Sequence, residues 1–80
     1  MDRRNILRQV NDVFLEVLDD EDLILSDETT ASDVEDWDSL NHIQLVVAIE
    51  KQFKIRFSSK EIQSWSNVGE MINSIQAKQA

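Results

Sequence analysis

Cysteine is absent from the 80 residues, so the chain forms no disulfide, offers no thiolate nucleophile and builds no cysteine metal site. Any thiol chemistry must therefore arrive on an added prosthetic group. Glycine occurs once, at Gly69, early in a helical stretch and without a phosphate-loop signature. With no glycine before it, the carboxylates between Asp19 and Asp38 do not make an EF-hand, whose loop needs one at its sixth position. Basic residues are scarce as well, eight Lys and Arg against 16 Asp and Glu, for a formal net charge of −8. That balance argues against binding a nucleic-acid backbone or inserting into an anionic membrane, and it calls for partners with basic patches. No apolar run is long enough to cross a bilayer. The opening Met1-Asp2-Arg3-Arg4-Asn5 leads into a patterned helix rather than a signal segment, so a cytoplasmic location is expected.

What is present is helical periodicity, with no clear period-two segment, no internal repeat and no low-complexity stretch. A chain of this length makes one small domain, residues 1–80, whose core covers only about 60% of the unfolded surface. The expected architecture is all-α, a bundle of three main helices and one short one, with a long loop between the first and second helices. From Arg3 to Leu18 one stripe holds Ile6, Val10, Val13 and Val17, widened by Leu7, Phe14 and Leu18. The run Asp19-Asp20-Glu21-Asp22 opposes the C-terminal dipole and favours a stop there. In the loop from Asp19 to Asp38, Leu23, Ile24, Leu25, Val34 and Trp37 are expected to pin the backbone to the bundle.

Between Asp19 and Asp38 no Lys or Arg offsets ten acids, among them Glu35 and Asp36. Asp38 is a good N-cap for a helix from Ser39 to about Phe53, in which Leu40, Ile43, Val46, Val47, Ile49 and Phe53 recur at helical spacing. Leu45 and Ala48 carry the apolar surface nearly all round. Such a helix is either central to the core or keeps an exposed apolar strip for a partner. Lys51, Lys54 and Arg56 supply positive charge at its end. Ser58-Ser59-Lys60-Glu61 reads as a capping box opening a short helix with Ile62 and Trp65 inward. Ser66 or Asn67 caps a last helix with the stripe Val68, Met71, Ile72 and Ile75.

The tripeptide Asp38-Ser39-Leu40 is the most informative feature. It places a serine at a helix start, where unpaired backbone N–H groups and a partial positive charge stabilise a phosphate ester. That arrangement suits a modification site rather than an active site. His42, three residues on, lies near the same helix face, but a serine-histidine nucleophile pair also needs an orienting third group and an oxyanion site. His42 is instead expected at the surface against partner enzymes, and Trp37 as a loop anchor or a partner contact.

The stretch Asp36-Trp37-Asp38-Ser39-Leu40, followed by Ile43, Leu45, Val46, Ile49, Glu50 and Phe53, resembles the D-S-L motif and following helix of the acyl carrier proteins. The likeness covers nearly the whole chain. It implies that Ser39 accepts 4′-phosphopantetheine from coenzyme A inside a separate phosphopantetheinyl transferase, and that the missing thiol arrives on that arm. It also implies a non-enzymatic, monomeric, stand-alone carrier of thioester-linked acyl groups, with an aminoacyl or peptidyl carrier as the nearest alternative. Acyl-loading ligases or synthases and acyltransferases with basic docking surfaces would be the partners, met through Asp38, Leu40, His42 and Trp37. Leu45, Val46, Ile49, Ile62 and Met71 would line any interior acyl site. Two departures stand out. Asp36 replaces the glycine often found two residues before the D-S pair, and the motif helix shows Asn41, His42, Gln44, Lys51 and Gln52, with Glu50 its only acid. The second points to a specialised carrier with a dedicated ligase or transferase, in lipid, polyketide or other acyl biosynthesis. From a different class, an unmodified acidic helical interaction module would account for the charge alone.

Overall fold

The computed structural model describes residues 2–34 and 37–79, and at Ser39 the backbone alone. Glu35 and Asp36 lie outside the described residues. All regular structure among the described residues is helical: α1 (Arg3–Leu18), a 3₁₀ turn (Ala31–Asp33), α2 (Ser39–Phe53), α3 (Ser59–Ser64) and α4 (Val68–Gln79). Each of the four α-helices begins at a side chain that takes one of its unpaired N–H groups. Asp2 accepts from Asn5, Asp38 from Asn41 and Ser58 from Glu61, and the Asn67 Oδ1 accepts from Glu70 N at 2.9 Å. Asn67, not Ser66, is thus the cap of α4, while the Glu70 carboxylate reaches back to Ser66 N.

The core gathers the predicted stripes. Ile6, Val10, Val13, Phe14 and Leu18 of α1 meet Leu45, Ile49 and Phe53 of α2 and Val68, Met71, Ile72 and Ile75 of α4. Burial of each such side chain contributes about 1.5–3 kcal/mol. The six-residue α3 buries none of its own residues completely. Ile62 and Trp65, expected inward, are only half-buried, since so short a helix covers one edge of the bundle. A 3.0 Å ion pair from Lys78 to Glu61 fixes it to α4, and its capping box is formed by both partners.

The acidic loop is anchored, though not by all five residues expected. Leu25 and Val34 are buried and Leu23 and Trp37 pack on the core, whereas Ile24 is 86% exposed. The cause is Asn11, whose Oδ1 accepts from Leu25 N at 2.6 Å and whose Nδ2 donates to Leu23 O at 3.3 Å. With the backbone gripped on both sides and Leu25 turned inward, the side chain between them is left outside. Further along, Thr29 O and Asp27 O accept from Val68 N and Gly69 N, each at 2.9 Å. The loop's own carbonyls therefore satisfy two donors at the start of α4. Arg3 completes this corner, donating to Asp27, Asn73, Gln76 and Gly69 O.

Candidate functional site

The site is built at the start of α2. Asp38 adopts an extended backbone, its carboxylate accepts from Asn41 N at 2.9 Å and its carbonyl from His42 N at 2.8 Å. Ser39 is then the first residue of the helix, at the end where backbone N–H groups and the dipole favour negative charge. Leu40 follows and is 68% exposed.

Trp37 sits just before the cap and ties it to the bundle. Its ring meets Phe14 edge-on at 4.9 Å between centroids, and its indole N–H donates to His42 Nδ1 at 3.0 Å. A neutral imidazole accepts at one nitrogen and carries its proton on the other, so this bond leaves His42 with N–H at Nε2. His42 stacks beside Trp37, with centroids 6.0 Å apart, and meets the edge of Trp65 at 6.2 Å. It is half-buried between the two indoles, not the surface residue expected from the sequence. Burial disfavours its charged form and lowers its pKa. With Nδ1 accepting from Trp37 and the proton on Nε2, the neutral imidazole has no free acceptor nitrogen with which to take a serine proton.

The apolar circumference of α2 resolves into both expected uses. Leu45, Val46, Ile49 and Phe53 are buried, while Leu40, Ile43 and Val47 form an exposed strip. The one acid of the helix after its cap turns inward to the chain: the Glu50 carboxylate accepts from Phe57 N at 2.8 Å, closing the turn after Lys54. The loop acids Asp19, Glu21, Asp22 and Glu28 are exposed. No cluster of His and carboxylates suited to a metal occurs among the described residues. Among the described residues no helix is long and apolar enough to cross a membrane.

Two depressions flank His42. One, of about 340 Å³, runs between α2 and α3 and is lined by Ile43, Val46, Val47, Phe57 and Ile62 with Glu50 and Arg56. The other, of about 690 Å³, lies beside the α2 start, lined by Trp37, Asp38, Gln63, Trp65, Ser66 and Asn67. The second was not foreseen, because its walls come from the loop, the end of α3 and the turn into α4. Only Trp37-Asp38 flagged its position. Of the residues named as lining for an interior acyl site, Val46 and Ile62 line the smaller depression, whereas Leu45, Ile49 and Met71 are wholly buried, with no water-sized void against them.

Comparison with known proteins agrees with this geometry. Residues 8–75 match the family model described as a phosphopantetheine attachment site. Among solved structures, the holo acyl carrier protein from Geobacter metallireducens, determined by solution NMR, superposes with a TM-score of 0.87. It is 36% identical over 92% of this chain and 85% of its own. Such carriers are substrates of a phosphopantetheinyl transferase and of acyl-handling enzymes and catalyse nothing themselves. With its capped serine helix, acidic loop and four-helix architecture, the chain belongs to the phosphopantetheine-attachment family and is a non-catalytic carrier protein of the acyl carrier type, bearing phosphopantetheine as its prosthetic group.

Proposed function

We propose that the prosthetic group is attached at Ser39 and that residues 1–80 work as one cytoplasmic carrier unit for a specialised acyl pathway. The observation that carries the attachment is the position of Ser39 as first residue of α2 behind the Asp38 cap. A phosphodiester there meets the positive end of the helix dipole. Asp38 spends its carboxylate on Asn41 N and its carbonyl on His42 N, so the backbone of the motif is held before any transferase binds. In the transferase the serine oxygen would form a bond to the β-phosphorus of coenzyme A. The pyrophosphate bond breaks and adenosine 3′,5′-bisphosphate leaves. The group then supplies the thiol that the sequence lacks, as the point of thioester attachment.

The residues at hand fit such a group. The start of α2 presents backbone N–H groups where the phosphodiester would sit, and Leu40 stands exposed beside the serine for a partner to contact. The exposed loop acids suit basic docking surfaces. What supports a dedicated loading enzyme is the face of α2. Its exposed strip is Leu40, Ile43 and Val47, and its Glu50 is committed to Phe57, so recognition along this helix would rest on apolar fit more than on charge.

Intact mass of the purified chain, before and after incubation with coenzyme A, magnesium and a broad-specificity phosphopantetheinyl transferase, tests the assignment. One phosphopantetheine on the wild type and none on a folded Ser39→Ala chain is the expected result. Addition to Ser39→Ala would move the site elsewhere, and an active Ser39→Ala protein would restore the interaction-module reading.

A further inference from the structure

The larger depression has walls that agree on one kind of occupant. The indole N–H of Trp37 is taken by His42 Nδ1 and that of Trp65 by Ser74 Oγ at 2.9 Å. With those donors spent, what the two residues have left to offer is ring surface. Polar groups complete the lining. Gln63 makes no hydrogen bond among the described residues, the Asn67 oxygen is used by Glu70 N while its amide nitrogen has no partner there, and His42 keeps a donor at Nε2. Asp38 is the one charged residue among the described lining, and its carboxylate is an acceptor for Asn41 N.

Three cargo classes can be weighed against this surface. An unbranched alkyl chain would use only the two rings and leave the hydrogen-bonding capacity of Gln63 and Asn67 idle. A cargo ending in a carboxylate would face Asp38 with no Lys or Arg in the described lining. A flat, uncharged ring with a hydroxyl or amino substituent satisfies both kinds of wall, stacking on or edging against indole while hydrogen-bonding to the amides. The volume, about 690 Å³, lies within the range of small-molecule sites. The core itself offers no space, since Leu45, Ile49, Met71 and Ile72 are fully buried, and the smaller depression between α2 and α3, walled by Ile43, Val46, Val47, Phe57 and Ile62, suits an alkyl chain rather than a substituted ring. The site also begins where the arm would begin, because Asp38, which lines it, directly precedes Ser39.

We infer that the cleft between Trp37, His42, Trp65 and the Gln63–Asn67 turn receives the cargo of this carrier, and that the cargo it accommodates is an uncharged aryl acyl thioester. The inference rests on attachment at Ser39. It assigns the ring of the cargo to Trp65 and His42 and its polar substituent to Gln63 and Asn67.

The test uses the full chain loaded by the transferase from hydroxybenzoyl-coenzyme A or octanoyl-coenzyme A, with loading verified by intact mass. Amide and side-chain NMR spectra of both forms are compared with the unacylated holo form. Expected for the aryl form are shifts of the Trp37 and Trp65 indole signals and nuclear Overhauser contacts from cargo ring protons to Trp65 and His42. Its thioester should also hydrolyse about threefold to tenfold more slowly than the corresponding free pantetheine thioester, a factor that matches one aromatic pair. Gln63→Leu, at an exposed position that does not support the core, should reduce that protection, and octanoyl should show none of it. A loaded aryl form with unshifted indoles and unprotected hydrolysis overturns the inference while leaving the attachment intact. So does octanoyl cargo that gives the same contacts and protection. Failure to load, with Ser39 unmodified, removes the attachment and the cargo site together.

Discussion

Asp19 and Lys54 end α1 and α2 in the left-handed conformation, with φ of 53° and 58°. A Cβ in that region costs roughly 1–2 kcal/mol, a strain glycine escapes at some entropic cost of its own. Replacing Lys54 by Gly is therefore expected to raise unfolding stability by up to about 1 kcal/mol, read as a higher urea midpoint at unchanged m-value. The chain's single glycine obeys the opposite logic. Gly69 has ordinary helical geometry, and alanine there would gain about 1 kcal/mol of helix propensity in an open site. Here an added Cβ would stand 2.9 Å from Asp27 O and 3.2 Å from Asp27 Cβ. The loop would have to retreat from the hydrogen bond that Gly69 N makes to Asp27 O. Gly69→Ala is expected to destabilise by about 1–3 kcal/mol despite its helix propensity, and a stabilised variant would mean that the loop yields without loss.

At the scale of elements, the start of α2 joins three parts of the chain through one imidazole. His42 accepts from Trp37 of the loop, donates its backbone N–H to Asp38 and touches Trp65 beyond α3. Burial holds its folded pKa below the ordinary value of 6.5, so around that pH the unfolded chain binds more protons than the native one. Stability from this group is complete above pH 6.5, falls as the pH drops towards the folded pKa and changes no further below it. His42→Gln should flatten that portion of a stability-against-pH curve measured by chemical denaturation between pH 5 and about 8.

The helices themselves were legible because each is written locally, as Asp38 before Ser39 or Ser58 three residues before Glu61, with an apolar stripe behind it. The acidic loop was legible only in outline. Thr30 and Asp33 do form a capping box around the 3₁₀ turn, a spacing visible in the sequence. The grip of Asn11 on Leu23 and Leu25 spans a dozen residues and leaves no periodic trace, which is why Ile24 was expected inside and lies outside. The setting of His42 between two indoles was hidden for a related reason. Its neighbours Trp37 and Trp65 come together only when the loop and the α3–α4 turn close over the same end of the bundle. The motif serine could be found from sequence, but the cleft beside it, assembled from three segments, could not.

For the whole molecule, the net charge of −8 is the dominant fact, carried largely by acids with few cationic partners. Two ion pairs are seen among the described residues, Arg3 with Asp27 and Lys78 with Glu61. Self-repulsion of the remainder opposes the compact state and is screened by salt. Raising sodium chloride from about 10 mM to 0.3 M is expected to raise the melting temperature by several degrees, since the Debye length contracts from roughly 30 Å to below 10 Å. A melting temperature that falls with salt would show instead that the ion pairs outweigh the repulsion.

The Arg3 contacts have a topological consequence. One guanidinium near the head of the chain holds Asn73 and Gln76 near its tail, so the two ends of the described polypeptide lie on a single flank. A short peptide linker is then enough to bridge them. A head-to-tail cyclised version should fold unchanged and resist heat better, because closing the ring removes freedom from the unfolded chain alone.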